Sequence, residues 1–395
     1  MEMLLVIFGL VLFVGLVVVH EWGHFIMARR NGVDVEEFGI GFPPKLATVY
    51  RDKKGTEYTL NLLPLGGFVR LKGEHDADRA KGSFGAASFW AKTKIMLAGV
   101  TMNLVTAWLV FTLLSLVGIP KLPLPSGEEQ FTVASDTRVV SNDVYVGWVE
   151  PGGPADKAGV KPGDRIDHFG PVMHPSTSEP VNCTGDCLAD LARAEDLRSV
   201  TESQLRKGAS TLKMTVLRDG ALTDIVITPR SLEEVASSQL NDEPKGYLGV
   251  LPYNFTVQRS TWSAPIVGAG LVAQYSKLTY QALGKTIASL FQGKGSEASA
   301  NVSGPIGIFV VLQQGASLGL SYILLIIGLL SLTLAIMNTL PIPALDGGKL
   351  FVMALFRILR KPLTARREEL IHGSGFALLM VLFVVLTVVD IRRFF

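Results

Sequence analysis

Three ionisable side chains, His20, Glu21 and His24, directly follow an uncharged apolar run near the start of the chain. They form the pattern His-Glu-x-x-His. Residues four apart lie on one face of a helix, so both imidazoles can bind one metal ion. Glu21 can then serve as a general base towards a water molecule at that metal. The alternative interpretation is that these polar residues only mark a membrane interface, where Trp22 would also be common.

Two imidazoles and a water fill three of the four positions that zinc prefers, so a third protein ligand is required. The candidate is Asp346, the first acidic residue after the uncharged run 315–345. Pro341 and Pro343 should break the helix just before it and free backbone groups, which is tolerated at membrane depth only where protein or a water-filled cavity satisfies them. The sequence therefore predicts a hydrated site for one Zn²⁺ per chain, with Asp346 and the two histidines as ligands.

The composition places part of this chain in lipid. Its 395 residues are 48% hydrophobic and 18% charged, with a mean hydropathy of +0.35, which is too apolar for an entirely soluble protein. The 37 basic and 35 acidic residues give a net charge of +2, too small to indicate a nucleic-acid binder. Two cysteines exclude a disulfide-dense secreted scaffold. We therefore expect a protein whose partners include the lipid bilayer and exclude nucleic acid.

Four uncharged runs reach or approach the roughly 20 residues that a membrane-spanning helix needs. They are residues 3–19, 95–119, 315–345 and 373–389. We expect the first to be retained rather than removed as a signal peptide, because it lacks a basic segment before it and a small-residue cleavage site after it. A further uncharged run, 260–276, contains Pro265 and Gly268 and predicts an amphipathic or interfacial helix rather than a fifth span.

The distribution of Lys and Arg predicts the orientation of the spans. Residues 29–94 and the loop between the third and fourth spans are rich in both, so both should be cytoplasmic. The long polar stretch 121–314 then lies outside. The His-Glu-x-x-His motif and Asp346 both follow spans that run inwards, so they should meet near the cytoplasmic face. A fifth span at 260–276 would place Asp346 on the opposite side.

The His-Glu-x-x-His motif, the run Asn-x-x-Pro-x-Pro-x-Leu-Asp-Gly from Asn338 to Gly347 and the four spans together resemble the site-2 protease family of intramembrane zinc metalloproteases. The likeness is to its bacterial regulator-of-sigma-E-protease group. It covers essentially the whole chain, including Ala98-Gly99 and Asn103 on the second span. The resemblance implies the same zinc ligands, and Glu21 as the general base.

The resemblance also implies roles for substrate binding. Asn338 helps to hold the substrate backbone, and Gly39 and Gly41 belong to a glycine loop after the first span. A membrane-dipping β-hairpin over 57–71 comes next, with two strands around a turn at 64–67. The edge of such a hairpin can capture an unwound substrate segment by β-addition. The alternative for this segment is an ordinary cytoplasmic loop.

The outer stretch contains a segment, 131–230, that resembles a single PDZ domain, and 246–250 is similar to the stretch after that domain in the family. Binding of a peptide C-terminus and steric filtering of substrates both stay open as its role. An insertion at 167–191 carries Cys183 and Cys187. These cysteines either pair in an oxidising compartment or bind a metal with nearby histidines.

The predicted fold class is a polytopic α-helical membrane protein with four transmembrane helices, an inserted extracytoplasmic α+β PDZ domain and a cytoplasmic-side membrane-associated β-hairpin. The predicted segments are the first span with its motif (1–28), the cytoplasmic loop (29–94), the second span (95–119), the outer PDZ domain with its flanks (120–250), the interfacial connector (251–314), the third span with the Asp-Gly motif (315–357), a basic loop (358–372) and the fourth span (373–392).

The predicted function is intramembrane zinc endopeptidase activity in the bacterial plasma (inner) membrane. The substrates would be single-span membrane proteins, either membrane-tethered regulators such as anti-sigma factors or signal-peptide remnants, after a first cut by another protease. Two alternatives are a membrane-anchored zinc protease with a soluble active site and a non-catalytic PDZ scaffold. The first normally draws a Glu ligand from a later helix, and the second does not require an intact Glu21.

Overall fold

The computed structural model describes residues 2–124, 127–171, 194–218, 220–240, 244–294 and 304–394. These residues form two compact units. The first unit comprises Met1–Ile119, Pro123–Asp136 and Ser260–Phe395, and the second comprises Pro120–Leu122 and Thr137–Arg259. The predicted pairing of Cys183 and Cys187, and the metal site considered for them, lie outside the described residues.

The helices of both units, in chain order, are α1 (Glu2–Arg30), α2 (Phe89–Val117), α3 (Pro154–Ala158), α4 (Ala194–Arg206), α5 (Leu232–Leu240), α6 (Ala264–Phe291), α7 (Pro305–Ser317), α8 (Leu320–Thr339), α9 (Asp346–Ile358) and α10 (Ala365–Phe394). The strands are β1 (Val35–Arg51), β2 (Glu57–Leu71), β3 (Ile119–Pro120), β4 (Arg138–Val149), β5 (Arg165–Pro171), β6 (Leu212–Arg218), β7 (Ala221–Ile227) and β8 (Val250–Arg259).

Four helices within the described part of the chain are long and apolar enough to cross a membrane, namely α1, α2, α8 and α10. Each has at least the roughly 20 residues that a span requires. The number of spans predicted from the sequence is thereby confirmed. The first helix extends beyond its apolar run and continues through the His-Glu-x-x-His motif to Arg30.

The uncharged run predicted as the third span is divided in the structure. Helix α7 ends at Ser317 and α8 begins at Leu320, since Gly319 between them adopts a φ of 93° that no helix contains. At the other end, Leu340 is extended, with φ −67° and ψ 147°, as the residue before a proline prefers. Residues 340–345 therefore form a non-helical loop, and α9 begins at Asp346.

Helix α2 lies at the centre of the first unit, in contact with α1, α6 and α8. Glycines allow the close approaches. A Cβ atom at Gly23 would lie 2.6 Å from the Ala98 carbonyl oxygen, and one at Gly328 would lie 2.5 Å from the Phe111 ring. In lipid the hydrophobic effect does not drive helices together, so their association depends on close van der Waals packing, which small residues at the contacts allow. The face of α1 that carries His20 and His24 therefore packs closely against α2.

The described residues of the segment predicted as an interfacial connector lie mainly in one strand and two helices, β8, α6 and α7. Residues 250–259 belong to the sheet of the second unit as β8, and α6 is not among the candidate spans in the described residues. The start of α6 is held by Asp136, which accepts hydrogen bonds from the backbone and hydroxyl groups of both Thr261 and Ser263. These bonds hold the pKa of the Asp136 carboxyl well below its usual range.

The predicted hairpin differs from the structure in its pairing. The two halves of 57–71 do not pair around a turn at 64–67, because the segment 37–40 lies between them and pairs with 57–60 on one side and with 67–70 on the other. The turn of the hairpin lies instead between β1 and β2. The predicted glycine loop is thus part of β1. Pairing with 37–40 provides hydrogen-bond partners for backbone N–H and C=O groups that would be unpaired at the edges of a short two-stranded hairpin.

The second unit is an α+β unit built on a six-stranded sheet with the order β3-β8-β4-β5-β6-β7. Alternate residues of the interior strand β6 face the core, where Leu212, Met214 and Val216 are fully buried. Helices α4 and α5 contribute Leu197 and Val235 to the same core. Alternation with a period of two is what buries one face of an antiparallel sheet.

Candidate metal centre and active site

Three ligand atoms from distant parts of the chain meet at one point in the first unit. Asp346 Oδ2 lies 3.0 Å from His20 Nε2 and 3.1 Å from His24 Nε2, and the two Nε2 atoms are 3.2 Å apart. Both histidines are buried, with 7% and 6% of their surface exposed. Among the described residues, this is the group of His, Cys, Asp and Glu side chains close enough to hold a metal ion.

The donor set and its spacing fit a zinc ion. Zinc binds imidazole nitrogen and carboxylate oxygen at about 2.0–2.2 Å in a tetrahedron, which places neighbouring donors about 3.3 Å apart. The three separations in the structure are within a few tenths of that value. Three protein ligands also leave a fourth position for water or substrate, as a catalytic zinc site requires.

Hydrogen bonds on the far side of each imidazole aim its Nε2 atom at the site. His24 Nδ1–H donates to the Ile95 carbonyl over 2.8 Å. His20 Nδ1 lies 3.3 Å from the amide of Asn103, which is fully buried. A metal-binding Nε2 leaves the proton on Nδ1, so the amide oxygen of Asn103 should face this atom. That orientation also gives a partner to Asn103 Oδ1, which otherwise has none among the described residues.

Gly99 on α2 provides the space that the two imidazoles occupy. A Cβ atom at this position would lie 2.5 Å from His24 Nε2 and 2.7 Å from His20 Nε2. Both distances are far shorter than van der Waals contact, and the helix backbone that carries the Cβ is itself packed against α1. The candidate metal site therefore depends on a glycine that lies on neither of the helices that carry the three candidate ligands.

We expect Gly99→Ala to abolish zinc binding, because the added methyl group must displace the metal-facing nitrogens of His20 and His24. Zinc per purified chain, measured by mass spectrometry of the metal, should fall from about one to near zero. Gly15→Ala is the matched control, since a Cβ at Gly15 meets nothing within 4 Å and alanine favours the helix. Full zinc content in the Gly99 variant would contradict this role of the glycine.

Glu21 lies beside the three ligand atoms, at the border of a cavity of about 520 Å³ that His24 and Asp346 also line. Its carboxylate interacts with the backbone N–H of Val69 on β2. A Cβ at Gly67, the start of the same strand segment, would lie only 3.5 Å from Glu21 Cγ. A carboxylate in this place can exchange a proton with a group bound at the metal.

The other predicted site residues lie apart from this cavity. Asn338 is half-buried in the last turn of α8 and is not among the residues that line the cavity. Gly39 and Gly41 lie in β1, where local packing demands glycine. A Cβ at Gly39 would meet the ring of Phe68, and Gly41 has a φ of 81° and lies close to the Leu63 carbonyl.

His372 lines the same cavity as Glu21 and Asp346, although the sequence did not single it out as a site residue. The sequence placed it at the end of a basic loop, but it lies within α10, and its Nδ1 accepts a hydrogen bond from the Ala344 backbone N–H over 3.1 Å. The available signal was that His372 is one of only six histidines and directly precedes an apolar run.

Nearly the whole chain is similar in sequence to known metallopeptidases. The model of peptidase family M50 matches residues 8–382. A zinc metalloprotease of Clostridium perfringens is 32% identical over 390 residues, which cover 98% of each chain. The regulator of sigma-W protease RasP of Bacillus subtilis is 25% identical over 472 residues, covering 99% of each chain. The regulator of sigma-E protease RseP of Salmonella typhimurium is 27% identical over 440 residues, covering 93% of this chain and 94% of the relative.

Apolar helices of spanning length, joined to a buried centre of two histidines and one carboxylate with a glutamate beside it, define a membrane metallopeptidase. The chain belongs to peptidase family M50. It is accordingly a zinc-dependent endopeptidase and an integral membrane protein.

Proposed function

We propose that this protein is an intramembrane endopeptidase that hydrolyses peptide bonds within the transmembrane segments of other membrane proteins. The observation that carries the proposal is the convergence of His20, His24 and Asp346, with both histidines inside a helix long and apolar enough to span a bilayer. Charged and polar side chains are costly at membrane depth, so a cluster of them there indicates a functional site.

We assign His20, His24 and Asp346 as the zinc ligands and Glu21 as the general base. When bound, zinc acts as a Lewis acid on the scissile carbonyl and on the attacking water. Glu21 takes the proton from this water and later delivers it to the leaving amine. The imidazoles would keep their Nε2 lone pairs directed at the metal, because His24 Nδ1–H donates to the Ile95 carbonyl and His20 Nδ1 lies beside the Asn103 amide, whose oxygen would accept the Nδ1 proton once the amide is turned towards it.

The edge strand 67–71 is the proposed binding place for the unwound substrate. A helical peptide bond is shielded by its own hydrogen bonds, and β-addition supplies replacement partners for the backbone once a helix is opened. Within the part of the chain that the structure describes, strand residues 67–71 pair on one side only, with the start of β1, and they lie next to Glu21. In this proposal Asn338 helps to hold the substrate backbone, as the family resemblance implies, and Gly39 and Gly41 shape the strand that pairs with 67–71.

The hairpin β1–β2 is proposed to dip into the membrane from the cytoplasmic side. Its strand residues Leu46, Val49 and Leu62 expose between 52% and 72% of their surface, which favours a lipid environment over water. The basic loops 29–94 and 358–372 support this side as cytoplasmic. The active site then opens near the inner face of the plasma membrane.

The second unit is proposed to be a single extracytoplasmic PDZ domain that controls access to the active site. Its antiparallel sheet with two flanking helices is compatible with that assignment. The names of the RasP and RseP relatives connect them with the regulation of sigma factors. We therefore propose single-span regulators such as anti-sigma factors, shortened outside by another protease, as the substrates.

The proposal is tested with the purified full-length chain in lipid vesicles and a single-span model substrate. We expect cleavage within the apolar segment of the substrate, as mapped by mass spectrometry of both fragments. A chelator should stop the reaction, and added Zn²⁺ should restore it. Cleavage only in the flanking polar segments would favour a soluble active site, and a protein that binds zinc without cutting any such substrate would favour a scaffold.

A further inference from the structure

The last helix of the chain contacts the loop that carries the third ligand, at two points one helical turn apart. This loop comprises residues 340–345, between α8 and Asp346. The first point is His372, whose Nδ1 accepts the Ala344 backbone N–H over 3.1 Å. The second is Gly375, where a Cβ would collide with the backbone and ring of Pro343. Helix α10 is therefore a support for this loop.

Ala344 adopts a backbone conformation that alanine disfavours. Its φ is 81°, in the left-handed region, where the Cβ of an L-residue crowds the backbone. A non-glycine residue stays there only when surrounding contacts hold it. The hydrogen bond to His372 is the contact at the Ala344 N–H, so its loss frees Ala344 to relax towards a negative φ.

A change at Ala344 is transmitted directly to the metal ligand. Asp346 lies two residues further on and begins α9. The backbone at the two glycines after it has little room to move, because it packs so closely that a Cβ at Gly347 or Gly348 would overlap the backbone of Thr339 or Ile342. The loop is thus folded tightly on itself, and a rotation at Ala344 must move the Asp346 carboxylate rather than be absorbed downstream.

The second nitrogen of His372 does not take part in this contact. Because Nδ1 accepts a hydrogen bond, the neutral ring carries its proton on Nε2. Among the described residues this buried Nε2 has no hydrogen-bond partner. The histidine thus has two distinguishable faces, and a substitution can preserve one while removing the other.

We propose that His372 is a positioning residue that sets the orientation of the Asp346 carboxylate through the backbone of Ala344, and thereby the affinity of the metal site for zinc. The inference rests on the proposed assignment of Asp346 as a zinc ligand. His372 does not touch the ligand atoms, and its role is to provide the acceptor that holds the loop.

The test compares zinc affinity, measured by competition with a chelator, for the full-length protein, four test variants and one control variant. His372→Leu removes the acceptor and should weaken zinc binding by about tenfold to a hundredfold, the usual effect of an outer-shell partner. His372→Asn places an amide oxygen where Nδ1 was and should restore affinity to within a few-fold. His372→Gln places its polar atoms near Nε2 instead and should behave like the leucine variant.

The fourth variant combines His372→Leu with Ala344→Gly, since glycine adopts a positive φ without crowding. This double change should recover much of the lost affinity, which a merely structural loss of packing would not allow. Leu370→Ala, on an exposed position of the same helix, is the control and should bind zinc as the unchanged protein does.

Three results would overturn the inference. They are an unaltered zinc affinity in His372→Leu, rescue by Gln rather than Asn, and a double variant no better than the single one.

If the unchanged protein binds no zinc, the proposed function fails as well, whereas equal affinity of the unchanged protein and His372→Leu refutes only the role of His372. Rescue by Gln would instead indicate a role for Nε2. Because the Asn and Gln variants are compared with each other, the test remains decisive even if the leucine variant does not fold.

Discussion

Replacing Glu21 by Gln should reduce the rate of cleavage by about 10² to 10⁴-fold, the range that a positioned general base contributes. The amide has nearly the shape of the carboxylate but cannot accept the proton of the attacking water. Glu21 is not one of the three grouped ligands, so zinc content should stay at about one per chain. Cleavage of a single-span substrate in vesicles and metal analysis of the same preparation provide the two measurements.

Glu369→Gln is the matched control for this substitution. Glu369 is a carboxylate at the outer rim of the same cavity, 63% exposed and 3.3 Å from His75 Nε2, so its replacement should leave cleavage nearly unchanged. The same loss in both variants would indicate a general effect of charge in the cavity. A purified Glu21→Gln protein that still cleaves at the normal rate would rule out the proposed base.

Replacing Asp346 by Ala should remove both zinc and activity. The change deletes one of the three proposed ligands, and its cost should exceed the tenfold to hundredfold that outer-shell changes typically cause. The two imidazoles remain, with their Nε2 atoms 3.2 Å apart, but they lack the negative charge that offsets the charge of the metal. We expect the metal content to fall from about one zinc per chain to a small fraction, and cleavage to fall to the background of the assay.

Asp34→Ala is a suitable control for this variant, because Asp34 is a surface carboxylate, 63% exposed, that pairs with Lys72. Its loss should change neither metal content nor cleavage. A full complement of zinc in Asp346→Ala would show that the third ligand lies elsewhere. Together, the two carboxylate variants separate proton transfer from metal binding, since only the second should lose its zinc.

Much of the membrane fold could be predicted because its signals are local. A run of about 20 uncharged residues identifies a spanning helix whatever it packs against, since no other element buries so much backbone in lipid. The four candidate spans were found in this way. The same holds for the break before Asp346, because a proline restricts the residue that precedes it in any context.

Other features depend on contacts that hydropathy does not register. The uncharged run over 315–345 does not reveal that Gly319 turns the chain and separates α7 from α8. The strand character of 37–40 depends on pairing with two segments of β2, and β8 belongs to the second unit because it pairs with β4 across more than a hundred residues. Such pairings are set by the whole fold, because local propensity for a strand is weak.

The proposed zinc site also combines features that the sequence predicts with features that only the fold establishes. Spacing alone places His20 and His24 on one helical face, because the geometry of a helix is fixed by its own hydrogen bonds. The partnership with Asp346, 326 residues away, was inferred from ligand number and topology, and the packed helices bring its carboxylate within 3.0 Å of His20. The supporting contacts of Gly99, Asn103 and His372 arise only from the packing of α2 and α10 around the ligands. No spacing rule connects residues on separate helices, so folding alone establishes these contacts.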